Sequence, residues 1–365
     1  MFHFLKSPFF SLNPKRDLTV DTIRGMACIA LVAFHVVGGD PDQGMAVGVN
    51  DWLYRMLHSF TDMRMPLFSF ISGIVFFSFP KSGTGFHWLV GKKARRLLLP
   101  LLTVGTLCWL SRVIMGIESE PLYKVYFSPY NVYWYLQSTF LVMSLFLLVN
   151  YCAMRRADRR EFQSIANMNA IGLGVLGAYI HVFQFPYVTQ FLSLQKAFYL
   201  MPFFMSGYLF GQVAQVYAVR VKLGQKALAA LILGGFIGLG FAMVDGGNGF
   251  ETATRRAVCI PVGILTALSL FTLAPRVRFL AWVGDKSYAI YLFHVFFTGA
   301  TEMVWRKLLP AMDIHFGFLG FFAAGLLGPI ILSWFILKVP LGRWLVLGLA
   351  APKFMQERFG IQRAH

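Results

Sequence analysis

The chain has 365 residues, of which 57% are hydrophobic, 16% aromatic and only 13% charged. That balance excludes a water-soluble globular domain, because long apolar runs recur from end to end with too little polar surface to cover them. The formal net charge of +17 calls for no nucleic acid. The basic residues cluster in loops between apolar runs, where they set topology and meet anionic lipid.

Ten apolar stretches are long enough to cross a bilayer as helices, at about 21–39, 63–80, 97–116, 133–153, 168–185, 196–217, 226–244, 257–274, 281–299 and 316–338. The short alternating segments of a β-barrel are absent. The predicted fold class is therefore all-α, a polytopic membrane helix bundle of about ten transmembrane helices. Residues 1–20 are expected to form a cytoplasmic N-terminal segment, 21–338 the membrane domain and 339–365 an interfacial or cytoplasmic tail. The stretch 340–351 is too short to span, and is expected to lie in the interface or to extend the last helix.

Loop charges orient this bundle. Lys81, Lys92, Lys93, Arg95 and Arg96 fill one loop, and Arg155, Arg156, Arg159 and Arg160 fill another two spans later. Arg220, Lys222 and Lys226 follow, then Arg276 and Arg278. These alternate with loops carrying the acids Asp40, Asp42, Asp51, Glu118, Glu120, Asp245, Glu251 and Glu302. An excess of positive charge marks the cytoplasmic side, so both termini are predicted inside. The first apolar run is retained rather than cleaved as a signal, because it carries the most informative residues of the chain.

Those residues are Asp21, Arg24 and His35, in the run DTIRGMACIALVAFHVV. A helix turns about 100° per residue, so the eleven steps from Arg24 to His35 return to within about 20° and advance about 16 Å along one stripe. Ionisable groups inside a membrane helix are costly and face a bundle interior or a water-filled cavity. A lone helical histidine is often a satisfied core group. Sharing a stripe with Arg24 and Asp21 favours a functional reading, and a neutral imidazole is a good general base. Asp21 and Arg24 are spaced to pair, either as a helix-end anchor or as a cationic contact for a phosphorylated ligand.

Further along, DMRMPLFSFISGIVFF brings Arg64 to the mouth of the second span, at a depth comparable with His35. Ser69, Ser72 and Gly73 lie further in, where small residues permit close packing. The cluster KKARRLLLP is a stop signal that also places Arg95 and Arg96 to meet a phosphate. The run GGFIGLG at 234–240 lacks the Lys-Ser ending of a phosphate loop and is read as helix packing. Trp52, Trp109, Trp134 and Trp282 fit interfacial belts. In GDKSYAIYLFH, Ser287, Tyr291 and His294 fall on one helical face, as interhelical hydrogen bonding or as a cavity lining. Cys28, Cys108, Cys152 and Cys259 form no CxxC pair and are read mainly as small buried hydrophobes, and no metal-ligand spacing is present. The loops near 40–62 and 117–132 are long enough to form a lid.

Together these runs resemble acyltransferase family 3, the integral-membrane O-acyltransferases of bacterial surface glycans. The resemblance rests on Asp21, Arg24, Gly25 and His35 in the first helix and on Met65 to Gly73 in the second. It continues with Arg95, Arg96 and Pro100 before the third helix, and with Ser287, Tyr288, Tyr291, Leu292 and His294 late in the chain. Order and spacing agree from about 16 to 340. Many members carry an acid in the fourth helix. The run VYWYLQSTFLV has none after Trp134, so no role for that acid carries over. The chain looks closer to the exopolysaccharide and fucose O-acetylase-like branch, and is expected to lack the hydrolase-like domain of some relatives.

What the resemblance implies is acyl transfer at a bacterial inner membrane. The donor is cytosolic acyl-CoA, with acetyl-CoA foremost and succinyl next, and no metal takes part. The acceptor is a glycan hydroxyl at or beyond the outer face. His35 either deprotonates that hydroxyl or carries the acyl group, with Arg24 and Asp21 near the donor entrance and Arg64 as oxyanion donor. Arg95, Arg96, Ser287, Tyr291 and His294 are the expected donor-binding residues. The lipid bilayer is an obligatory partner, and a polysaccharide synthase or export complex is a further expected one. Two other classes compete: a transporter or flippase of acyl groups or lipid-linked glycan, and a non-catalytic subunit of a synthase complex. No inverted repeat supports the first, and the second leaves the Arg24/His35 stripe unexplained.

Overall fold

The computed structural model describes residues 17–40, 43–76, 85–118, 120–156, 158–184, 191–216, 221–245 and 252–352, and these form helices and no strand. Lys81, Arg220, Asp42 and Glu251, which entered the charge reading, lie outside the described residues, as do most of the predicted N-terminal segment and part of the tail.

In chain order the helices begin with α1 (Leu18–Val37), α2 (Trp52–His58), α3 (Thr61–Phe76) and α4 (Phe86–Pro100). A π-helical turn at Leu101–Gly105 then leads into α5 (Thr106–Ile114). Next come α6 (Tyr123–Phe127), α7 (Trp134–Val149), α8 (Tyr151–Arg156), α9 (Arg159–Phe183) and α10 (Leu194–Val216). The remainder are α11 (Leu223–Asp245), α12 (Ala253–Leu273), α13 (Arg278–Asp285), α14 (Ser287–Leu308), α15 (Phe318–Ile336) and α16 (Pro340–Leu345).

Seven helical stretches among the described residues are long and apolar enough to cross a membrane. They are Leu18–Val37, Phe86–Ile114, Tyr123–Val149, Arg160–Phe183, Leu223–Val244, Ala253–Leu273 and Ile314–Ile336. The other three predicted spans fall on α3, α10 and α14. The fold is an all-α, polytopic membrane bundle. Its contacts gather into two compact units, each discontinuous in sequence. One runs to Ser72 and resumes over Gln212–Ile330; the other is Gly73–Gly211 with the chain from Ile331 onward.

In the first unit α1 is the central element, packed against α13, α14, α2 and α12. The Asp17 carboxylate caps its start, accepting from the Thr19 amide at 2.7 Å. The α1–α13 contact is backbone to backbone: a Cβ at Gly25 would collide with the Leu280 carbonyl, and one at Gly284 with the Asp21 carbonyl. Small residues are what bring helices together in lipid, where burial from water supplies no drive between them. The loop after α1 turns back at Gly38 (φ 108°). Its Met45 is buried, with its amide donating to the Val36 carbonyl at 3.0 Å. Arg306 donates to the carbonyls of Gly44 and Met45 at 3.1 and 3.0 Å, and His315 bridges Asp51 at 2.7 Å and Asp313 at 2.6 Å. The predicted lid region near 40–62 therefore includes a helix, α2, and a loop fastened down at several points.

In the second unit, Gly73 lets α3 press on the Phe204 carbonyl of α10, the packing role predicted for it. Phe204, Phe76, Phe146 and Tyr208 form an aromatic core, with Phe146 and Tyr208 ring centres 4.8 Å apart. Pro100 has no N–H for the Arg96 carbonyl, and the ladder widens to the π-turn just after it. Here the segment 340–351 settles. Thr103 donates to the Leu345 carbonyl at 2.8 Å and Arg96 to the Leu347 carbonyl at 2.7 Å, while Gly348 (φ 59°) passes against the Arg95 carbonyl. The segment is thus a separate short helix folded onto α4, not an extension of α15.

Two sequence expectations need correction. Trp282 belongs to the first unit's core with Val283, Cys28 and Ile290 rather than to an interfacial belt. Among the described residues only Gly240 of the glycine run packs closely, against the Ser59 backbone, whereas nothing lies within 4 Å of a Cβ at Gly234, Gly235 or Gly238. Composition marks small residues as packers but cannot tell which side of a helix is covered. Gly25→Ala is accordingly expected to cost about 1–3 kcal/mol, or more if the helices must separate. Gly234→Ala should leave stability unchanged or slightly higher. Thermal unfolding of both variants in detergent measures the contrast.

Candidate active site

At the N-terminal end of α1, Arg24 Nη1 donates to Asp21 Oδ1 at 2.9 Å. Asp21 is buried, and Arg24 keeps 16% of its side chain exposed. One turn of helix therefore neutralises a carboxylate that would be expensive alone. At the other end of the stripe His35 is half-buried. Between them the stripe passes through Cys28, Leu31 and Val32, all buried. The α1 stripe is polar at both ends and apolar in the middle.

His35 meets His294 of α14, with ring centres 5.0 Å apart at an interplanar angle of 46°. His294 is fully buried, and its Nδ1 lies 2.9 Å from the carbonyl oxygens of both Ile290 and Tyr291. Carbonyl oxygens only accept, so Nδ1 carries the proton and Nε2 presents a lone pair. Among the described residues that Nε2 has no hydrogen-bond partner. A buried acceptor left so costs about 1–3 kcal/mol. Tyr291 lies one turn away, its ring centre 6.5 Å from that of His294.

Phe34 organises the third side. The Arg64 guanidinium carbon stands 3.5 Å above the Phe34 ring centre, a cation–π contact, and Arg64 is only 7% exposed. The Phe34 ring meets His35 edge-on at 5.3 Å and His58 at 4.8 Å. His58 stacks on Tyr54 at 3.7 Å and donates from Nε2 to the Gly38 carbonyl at 3.0 Å. The Arg64 charge reaches His35 and His294 through space. At the start of α3, Asp62 forms a buried ion pair with Arg255 of α12.

The predicted residues thus fall into groups. His35, His294 and Arg64 come together, with Tyr291 beside His294. Asp21 and Arg24 pair at the far end of α1. Ser287 is buried at the start of α14, about 10 Å along the helix from His294. Arg95 and Arg96 belong to the second unit, where Arg95 is half-buried and Arg96 holds the Leu347 carbonyl. Sequence reasoning missed His58, Asp62 and Arg255. An acid at the entrance of an apolar span and an Arg pair opening another were the available signals, but nothing local links residues so far apart. Among the described residues no group of three or more His, Cys, Asp or Glu converges as a metal site would.

A multi-pass helical membrane protein with imidazoles and a guanidinium gathered inside one unit is the class these features define. The family model described as an acyltransferase domain matches residues 17–338, nearly the whole chain, and the protein belongs to acyltransferase family 3. It is a membrane acyltransferase. No curated protein and no solved structure matches it.

Two stability predictions follow from this geometry. Arg255→Leu strands the Asp62 carboxylate in the interior and is expected to cost about 3–5 kcal/mol, with a smaller loss when Asp62→Leu accompanies it. Unfolding in detergent compares the two. Burial holds the His58 imidazole below its ordinary pKa of 6.5, the Gly38 carbonyl pulling the other way and the Arg64 charge adding to the fall. The folded state then binds that proton less readily than the unfolded chain. The stability it contributes is present above pH 6.5 and is lost as pH falls through the lowered value. The melting temperature should drop on acidification from about pH 7.5 to about pH 5.5, and less steeply in His58→Gln.

Proposed function

We propose that the protein moves an acyl group, acetyl foremost, from cytosolic acyl-CoA to a hydroxyl of a cell-surface or periplasmic glycan, with His35 at the reacting centre. The observation that carries this reading is the meeting of His35 with His294 beside the Arg64 charge, inside a chain of the acyltransferase family. An imidazole supplies either a base or a nucleophile, and a guanidinium supplies charge for the oxyanion that forms as a thioester or ester carbonyl is attacked.

In this reading the chain crosses a bacterial inner membrane ten times with both termini in the cytoplasm. Residues 21–338 do the work, and 1–20 and 339–365 flank them. The Asp21–Arg24 pair then lies toward the cytoplasm and His35 toward the outer side. Acyl-CoA is polyanionic, and the basic residues Arg95 and Arg96 give its phosphates complementary charge. Ser287 and Tyr291 share the α14 face of His294 and would border the acyl end of the donor. A glycan synthase or export complex would supply the acceptor. Family membership favours bond chemistry over the transporter reading, since it accounts for the same buried ionisable groups.

His35→Ala is expected to lower transfer of labelled acetyl from acetyl-CoA to membrane glycan by at least about 100-fold, while the protein stays inserted and monodisperse. Wild-type levels of glycan acylation by that variant in a knockout strain would overturn the assignment.

A further inference from the structure

We infer that the two histidines divide the reaction: His35 carries the acyl group and His294 takes the proton of the acceptor hydroxyl. The inference rests on the reading of the chain as an O-acyltransferase acting at His35, and extends it.

Three observations separate the roles. First, His294 has a fixed tautomer, because Nδ1 is held by the carbonyls of Ile290 and Tyr291 at 2.9 Å each. Its basic atom is therefore Nε2, and that atom has no hydrogen-bond partner among the described residues. A base oriented by a third group is the arrangement by which enzymes activate a nucleophile, and here two backbone carbonyls do the orienting. Second, His294 is fully buried whereas His35 is half-buried. A hydroxyl oxygen at hydrogen-bond distance from Nε2 needs less room than an acyl group bonded there, which would displace more of the packed neighbours. His35 is the less enclosed of the two rings, and so the easier for a thioester carbonyl to reach. Third, the rings are 5.0 Å apart, so a hydroxyl hydrogen-bonded to His294 Nε2 lies beside whatever His35 holds.

The steps balance. A ring nitrogen of His35 attacks the thioester carbonyl carbon; the N–C bond forms, the C–S bond breaks and the coenzyme A thiolate leaves with the bonding pair. The acceptor hydroxyl then attacks the acyl-imidazolium as its proton passes to His294 Nε2. The O–C bond forms, the N–C bond breaks, and His35 returns to neutral imidazole. The proton on His294 leaves to the medium, matching the charge of the thiolate.

The test uses the full-length protein in native membranes with acetyl-CoA as donor and two acceptors: the endogenous glycan hydroxyl, and hydroxylamine. Hydroxylamine is nucleophilic without a base and traps an acyl-enzyme as acetyl-hydroxamate. His294→Gln should reduce glycan acetylation at least about 100-fold while hydroxamate formation stays within about threefold of wild type. His294→Asn, whose amide can still donate to the Ile290 and Tyr291 carbonyls, should behave the same way. Retained hydroxamate formation also shows that each variant is folded. His35→Gln should lose both products. Parallel loss of both products in the His294 variants, or retained glycan acetylation, would overturn the division of roles. Retention of both products in His35→Gln would instead overturn the reading beneath it.

Discussion

Gly25 faces the Leu280 carbonyl and Gly284 faces the Asp21 carbonyl, so α1 and α13 meet with no side chain between them. Inside lipid, helices gain little by hiding apolar surface from one another, and close backbone approach is what fixes their contact. That contact also fixes how α1 is rotated. Ten residues beyond Gly25 the helix has turned to about 80° from its starting direction. His35 therefore leaves the α13 side and meets α14, where His294 lies. Had any larger residue stood at position 25, α1 would have to shift or turn, and the imidazole pair would separate with it.

Rotation alone would leave ionisable groups in an apolar interior, and the first unit handles each differently. Asp21 and Arg24 neutralise one another within a single turn, and Asp62 and Arg255 do so across two helices. Arg64 lays its charge on the face of Phe34, whose quadrupole accepts it. His294 donates its Nδ1 hydrogen to two backbone carbonyls, which fixes Nε2 as its acceptor atom. His294 Nε2, for its part, has no hydrogen-bond partner among the described residues. A buried acceptor kept without a donor is a cost that packing does not explain, and in the proposed reaction that lone pair is the base.

The sequence made the faces legible but not their meetings. Helical periodicity put Arg24 and His35 on one stripe and Ser287, Tyr291 and His294 on another, and apolar run lengths gave the helical class. It could not show that the two stripes touch, because His294 lies 259 positions beyond His35 and no local signal spans that distance. The same limit hid the Asp62–Arg255 pair. Trp282 was misread because an aromatic near a span end has the same composition whether it faces headgroups or a core. Charge alone marks Arg96 as a phosphate contact, and no local signal shows that its Nη1 also donates to the Leu347 carbonyl.

Between its polar ends the α1 stripe presents Cys28, Leu31 and Val32, all buried, over about 16 Å. An enzyme that passes a group across a membrane must not pass ions with it. Bringing a bare charge along an apolar wall carries a desolvation cost of several kcal/mol, whereas an uncharged acyl chain meets no such barrier. An ion pair at one end, a packed apolar interval and imidazoles at the other oppose the leak of protons and salts along this stripe. A polar residue at Cys28 or Leu31 would shorten that interval, and the helix carries none there.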